Sequence, residues 1–126
     1  METLQVISGA YRATYEEQDD TILWLTQAMV AAGARMAVLL RCNAVNYAVR
    51  AQQAPALAIG TWQQAHPPAI AADLARIVAS GVPVHVVRED AEARGLRAGD
   101  LAEGVHLVRQ GEVADLVARH GRVWMW

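Results

Sequence analysis

The sequence predicts an α/β fold of three layers, α/β/α, built around a mostly parallel five-stranded sheet. Three observations carry that expectation. Short runs rich in Val, Leu and Ile recur along the chain, as strands covered on both faces require. Segments with helical spacing separate those runs, the alternation that joins parallel strands by crossovers. The apolar fraction, 54% of 126 residues, also exceeds the roughly 45–50% usual for soluble domains. Such an excess fits elements buried on two sides, or a subunit interface.

"LQVIS" (4–8) is the first strand, and Ser8-Gly9 turns the chain behind it. Asp19 or Asp20 caps a helix running to about Ala32, with Ile22, Leu25, Met29 and Ala32 as its inward stripe. Gly33 ends that helix, and "RMAVLL" (35–40) is the second strand. "CNAVNYAVRAQQ" (42–53) reads as a helix with Asn43 as its cap, Val45, Ala48 and Val49 inward, and Pro55 beyond its end. "ALAIG" is either a short strand or an apolar connection, and "TWQQAHPP" is a loop. Pro67-Pro68 starts the next helix, where a missing N–H costs little, and Ile70, Leu74, Ile77 and Val78 face the core.

"VPVHVV" (82–87) is a further buried strand, followed by a charged turn. Gly95 and Gly99 punctuate the next region, with a short helical turn at "AGDLA". "GVHLV" (104–108) is a strand, "GEVADLVARHG" (111–121) a helix, and "RVWMW" the last strand. No repeat, linker or low-complexity tract divides the chain, and its length fits one domain over 1–126.

Net charge is −2, and all 11 cationic residues are Arg. No basic run stands out, which argues against a nucleic-acid partner, since phosphate binding needs clustered cations. The absence of Lys removes Schiff-base chemistry and the lysine of a P-loop. One cysteine, Cys42, excludes an intramolecular disulfide and fits a reducing compartment. "METLQVISGAYR" lacks the basic and apolar regions of a signal peptide, and no apolar run approaches the ~20 residues of a membrane span. The expectation is a cytoplasmic protein with no membrane partner and no cofactor.

The order of features in "GVPVHVVREDAEARGLRAGDLAEGVHL", then "VADLV" and "RVWMW", resembles the DsrE/DsrF/DsrH-like family of small sulfur-relay proteins, which includes the Tus sulfur-transfer subunits. The matching elements are the strand Val82 to Val87, the "ARGL" of Ala93 to Leu96, Gly104-Val105, the helix around Val113 to Val117, and the closing strand Val123 to Trp126. "VISGAYRATYEEQDDTILWLTQAM" and "VLLRCNAVNYAVRAQ" are similar to the family's first two strand–loop–helix units. The resemblance implies a DsrEFH-like fold and assembly with itself or with related subunits, as a trimer, hexamer or mixed heteromer, with sulfur-carrier proteins as further partners. It also exposes a departure. Sulfur-carrying members hold cysteines in the loop before "ARGL", at the places of Val87 and Asp90 here, and neither residue accepts sulfur. The "RED" of Arg88 to Asp90 is similar to the polar loop of the DsrH/TusB branch.

Chemistry-bearing residues gather at strand ends. Cys42 follows a strand and precedes a helix, where N–H donors and Arg41 favour a thiolate. It is either a replacement sulfur carrier or a small buried apolar residue. Glu89, Asp90 and Glu92 form an acidic cluster between Arg88 and Arg94. Acid–base work needs one of them desolvated, whereas Asp90 as the cap of a following turn needs nothing further. Arg94 suits a bidentate grip on a carboxylate or a neighbouring loop.

Ser8, Gly9 and Tyr11 form a loop able to turn N–H groups toward an anion, with Tyr15, Tyr47 and Trp62 as further pocket walls. His66, His85, His106 and His120 lack metal-ligand spacing, so no metal is expected; His85 and His106 fall in strands and His120 at a helix end. Trp124, Met125 and Trp126 on a terminal edge strand need covering, as at a subunit interface. Three functions follow. The first is a binding or scaffolding subunit of the sulfur-relay type, with Ser8, Gly9, Tyr11, Asn43, Arg88, Asp90 and Arg94 on its binding rim. The second is a sulfurtransferase or carrier working through Cys42, and the third a small-molecule-binding regulatory domain.

Overall fold

The computed structural model describes residues 1–11 and 20–126. Seven strands appear among them: β1 (Thr3–Ile7), β2 (Met36–Leu40), β3 (Ala58–Ile59), β4 (Trp62–Gln63), β5 (Val84–Val87), β6 (His106–Val108) and β7 (Arg122–Met125). The α-helices are α1 (Thr21–Ala31), α2 (Ile70–Ala79), α3 (Arg88–Ala93) and α4 (Val113–Ala118), with 3-10 turns at Cys42–Ala48, Ala98–Asp100 and Gln110–Glu112. Five strands form one sheet in the order β6-β5-β2-β1-β7. Every neighbouring pair in it is parallel. This is the expected α/β architecture.

Parallel register sets the two faces, because paired residues share a side. Val38 pairs with Gln5 and with Val84. That side carries the larger core, in which Leu23 of α1, Leu74 and Ile77 of α2, and Val45 and Tyr47 of the 42–48 turn are buried. The opposite side carries Leu4, Val6, Ala37, Leu39 and Val87, covered by Leu116 of α4. Gly104 lets the chain enter β6 beneath α2: its φ is +85°, and a Cβ there would stand 2.6 Å from a Val78 methyl.

The fully buried strand runs produce β1, β2 and β5 as expected, and α2 buries the expected Ile70, Leu74 and Ile77. Several elements differ from the sequence reading. Asp20 caps α1, its carboxylate accepting the N–H groups of Ile22 and Leu23 at 3.0 and 2.9 Å; Asp19 lies outside the described residues. The face of α1 turned fully inward is Leu23 and Thr26, not Ile22, Leu25, Met29 and Ala32. Apolar residues surround that helix, so spacing alone did not single out a face. Gln5, buried in the sheet, selects the Thr26 side by donating to its hydroxyl at 3.0 Å.

The expected helix over 42–53 is a 3-10 turn that stops at Ala48. The Gln52 side-chain amide folds back to donate to the carbonyls of Tyr47 and Val49, both at 2.9 Å. "ALAIG" and "TWQQ" pair as a two-residue antiparallel hairpin, so the expected loop contains a strand. The charged segment after β5 is helical at once, with α3 beginning at Arg88. The helix expected over 111–121 is divided into a 3-10 turn and the short α4. The edge position expected for the last strand holds.

Candidate functional site

The carboxyl ends of β1, β2 and β5 form a rim where an open α/β sheet keeps its binding groups. Two non-glycine residues with positive φ stand on it, Tyr11 at 60° and Cys42 at 50°. Cys42 immediately follows Arg41, the residue after β2, and opens the 3-10 turn. A left-handed backbone costs a non-glycine residue on the order of 1–2 kcal/mol, so something must hold it. At Cys42 that is Asp90: its carboxylate accepts the Cys42 N–H at 2.7 Å.

The same contact joins the two loops that the sequence places on one rim. Arg94 reinforces it, donating through Nε and Nη2 to Asn43 Oδ1 at 3.2 and 2.8 Å, and through Nη1 to the Asp90 carbonyl at 3.0 Å. Asp90 therefore caps a neighbouring turn across space, not the turn that follows it. Arg94 clamps the loop of Asn43 in the bidentate manner its guanidinium favours. Glu89 is spent elsewhere, its carboxylate accepting Gln110 N–H at 2.7 Å. The acidic cluster is thus not a pair of facing carboxylates set for acid–base work. Arg88 is exposed at the start of α3, and Val87 is fully buried beneath α4. Cys42 is half-buried.

A second network ties down the loop after β1. Tyr47 is buried; its hydroxyl donates to Asp20 and accepts the Tyr11 N–H at 2.6 Å. The Tyr11 and Tyr47 rings meet edge to face, with centroids 5.0 Å apart. Ser8 N–H donates to the Trp126 carbonyl at 2.9 Å. The N–H groups of Ser8 and Tyr11 are consequently engaged within the protein, and Asp20 takes the α1 N-terminus. Gly9 lines a cavity of about 250 Å³ with Ile7, Asp20, Tyr47 and Trp126.

Beside this network a cleft of about 690 Å³ opens between Tyr11, Gln52, Pro55, Pro67 and Ile70. Burial pushes the Tyr11 phenol above its ordinary range. Tyr47 is not a wall of this cleft, and Trp62 projects from the hairpin in an exposed position. Tyr15 lies outside the described residues. The Asp20–Tyr47 pair and Gln52 escaped the sequence reading as organisers of the rim. A buried tyrosine beside a helix cap is the only signal the sequence offers for them.

On the α4 face of the sheet His85 and His106 stand side by side in register, their ring centroids 5.6 Å apart. The Nδ1 of His85 is buried without a hydrogen-bond partner. Burial, with His106, His120 and Arg119 adding to it and Glu2 opposing, pushes the His85 pKa down to about 4. His120 Nδ1–H donates to the Leu116 carbonyl at 2.8 Å, near the end of α4. Among the described residues no three His, Cys, Asp or Glu side chains converge as a metal-ligand set. None of the described helices is long and apolar enough to cross a membrane.

No family model matches the sequence, and no curated protein does. Solved structures do. The ychN protein from E. coli superposes with a TM-score of 0.69 at 18% identity, covering 100% of both chains. The fold is that of the DsrE/DsrF-like proteins. MTH1491 from Methanobacterium thermoautotrophicum, a protein of unknown function, superposes with a TM-score of 0.67 at 16% identity over 99% of this chain and 98% of its own. In this chain the 88–96 segment lies beside the turn that carries Cys42, the two joined by Asp90 and Arg94.

Proposed function

We propose that this chain is a binding or scaffolding subunit of the sulfur-relay type that does not itself carry sulfur at residues 87 or 90. The shared fold supports the class. The observation that carries the reading is the bond from Cys42 N–H to the Asp90 carboxylate. Where relatives are expected to hold a thiol, this chain holds an acceptor already committed to its own backbone, and Val87 is buried. The rim is organised to keep a shape, with Arg94 and Asn43 locking the two loops together. Partners are further copies or related subunits, and sulfur-carrier proteins that dock on the rim.

A second reading is favoured by one observation. Cys42 is half-buried rather than enclosed, and it occupies a left-handed backbone position at a strand-to-helix turn on the carboxyl rim. Strain of that kind gathers at functional sites. In this reading the Cys42 thiolate attacks the outer sulfur of a donor persulfide. A new S–S bond forms at Cys42, the donor's S–S bond breaks, and the donor leaves as its thiolate.

Incubation with a low-molecular-weight persulfide followed by intact-mass measurement separates the two. The scaffold reading expects an unchanged mass. A gain of one sulfur atom that disappears in Cys42→Ala establishes the carrier reading in its place.

A further inference from the structure

We infer that the cleft beside Tyr11 is a binding site for a small, neutral, planar heterocycle whose edge carries a lactam, an N–H next to a carbonyl. The cleft shares no lining residue with the Cys42–Asp90 contact, so the inference stands apart from the scaffold reading. At about 690 Å³ it has the size of a small-molecule pocket. Pro55, Pro68 and Ile70 give it apolar walls, and its polar side chains are Tyr11, Gln52 and Gln53. None of the described residues lining it is charged, and the sequence from Ala51 to Ala72 contains no Asp, Glu, Lys or Arg. A charged ligand would lose water there without meeting a countercharge. A neutral one is favoured.

The polar groups have a definite sense. Gln52 Nε2 donates to the carbonyls of Tyr47 and Val49 at 2.9 Å and to that of Asn46 at 3.3 Å. Three acceptors around the nitrogen fix which end of the amide is which, so Oε1 is the end turned to Tyr11. The Tyr11 hydroxyl donates to it at 3.3 Å, in an exposed bond. That separation exceeds the roughly 2.7–2.8 Å usual for O–H···O, so the bond is weak and a ligand can replace it. The cleft thus presents a fixed acceptor beside a hydroxyl donor. A lactam edge carries the matching pair: its N–H donates to Gln52 Oε1, and its carbonyl accepts the Tyr11 hydroxyl. The ring lies against the apolar walls.

Tyr11 is held ready for this role. Its backbone sits at a φ of 60°, its N–H donates to the Tyr47 hydroxyl, and its ring meets the buried Tyr47 ring edge to face. Asp20 in turn accepts the Tyr47 hydroxyl proton. Yet Tyr11 itself is 47% exposed, so this anchoring does not serve to bury it. Strained residues over-determined by their surroundings gather at ligand clamps. A side chain ordered before binding also lowers the entropy lost when the ligand arrives. Burial raises the Tyr11 pKa, so the phenol stays protonated and remains a donor at neutral pH.

The test is a titration of the full, isotope-labelled chain with carbostyril, a planar neutral lactam, followed through the backbone amide resonances. Two analogues serve as comparisons: N-methylcarbostyril lacks the N–H, and quinaldate carries a negative charge in place of the lactam. Carbostyril is expected to move the resonances of Tyr11, Gln52 and Ile70 with a Kd on the order of 1 mM, usual for a probe of its size. Each analogue is expected to bind about fivefold more weakly or worse, the fold-change of one hydrogen bond. Tyr11→Phe keeps the ring on Tyr47 and removes only the hydroxyl, so it is expected to weaken carbostyril by a similar factor while leaving the thermal melt unchanged. No shift with carbostyril overturns the inference, as do shifts centred on Cys42 and Asp90. Equal affinity for either analogue, or undiminished binding by Tyr11→Phe, overturns it as well. The analogues alone decide the matter if that variant fails to fold. Sulfur uptake is read by mass at Cys42, so failure of this site and failure of the scaffold reading are separate results.

Discussion

The carboxyl rim and the β7 edge present opposite answers to the same problem of unsatisfied polar groups. On the rim, each of the two residues with positive φ has an oxygen partner for its N–H within the chain: Cys42 has Asp90, and Tyr11 has Tyr47. At the edge, Val123 and Met125 turn backbone groups away from β1, where no described strand pairs with them, and the Met125 side chain is exposed. The rim is satisfied from within, whereas the edge is left to be satisfied from without. The difference separates a rim held in shape by its own side chains from an edge whose outward backbone groups have no described strand beside them.

The largest effect that sharpens this contrast is expected on the rim. Asp20→Ala removes the α1 cap and the acceptor of the buried Tyr47 hydroxyl proton, for a combined loss of about 2–4 kcal/mol in denaturant unfolding. A loss below about 1 kcal/mol would mean that the rim is held by other contacts. Asp90→Ala is next, at about 1–2 kcal/mol, because the Cys42 N–H loses its acceptor. Asp90→Asn keeps an oxygen in place and is expected to recover most of that loss. Equal destabilisation by both substitutions would show that charge, not the acceptor, holds Cys42.

His85, on the α4 face of the sheet, supplies a smaller effect that depends on pH. Its folded-state pKa of about 4 lies below the ordinary 6.5, so the unfolded chain binds the proton more readily. Stability from this group is therefore whole above about pH 6.5 and is lost as pH falls toward 4. The ring is partly exposed, and screening reduces the size of the effect. Thermal melts across that window should drop less in His85→Phe than in the wild type; parallel profiles would remove His85 as a source of acid sensitivity. Smallest of all is Met125→Pro at a concentration where the chain is monomeric. Its cost in unfolding is expected below about 1 kcal/mol, since edge strands tolerate proline where the N–H faces outward. A larger cost would place the Met125 N–H in the ladder to β1 after all.

The fold was legible because its signals are local. Val38 to Leu40 and Val84 to Val87 are runs that fit nothing but strands covered on both faces, and Ile70, Leu74 and Ile77 mark one side of α2. α1 failed the same test because apolar residues encircle it; Thr26 was chosen by a glutamine from another strand. The 42–48 turn has helical spacing and ends early through Gln52, a tertiary cause that no periodicity carries. The site was legible as a place and not as a set of bonds. Cys42 and Asp90 belong to one rim because both follow parallel strands, but the bond between them crosses 48 positions. The engagement of the Ser8 and Tyr11 N–H groups likewise depends on Trp126 and Tyr47, each distant from them in sequence.

The strand order has a further consequence for how the chain reaches this structure. β1 lies between β2 and β7, and its pairing of Thr3 with Arg122 joins opposite ends of the described chain. Contacts of such long sequence separation close late, after the entropy of a large loop has been overcome. Until then the flank of β1 stands bare beside strands already assembled, and refolding at high concentration should divert molecules into intermolecular pairing at that flank.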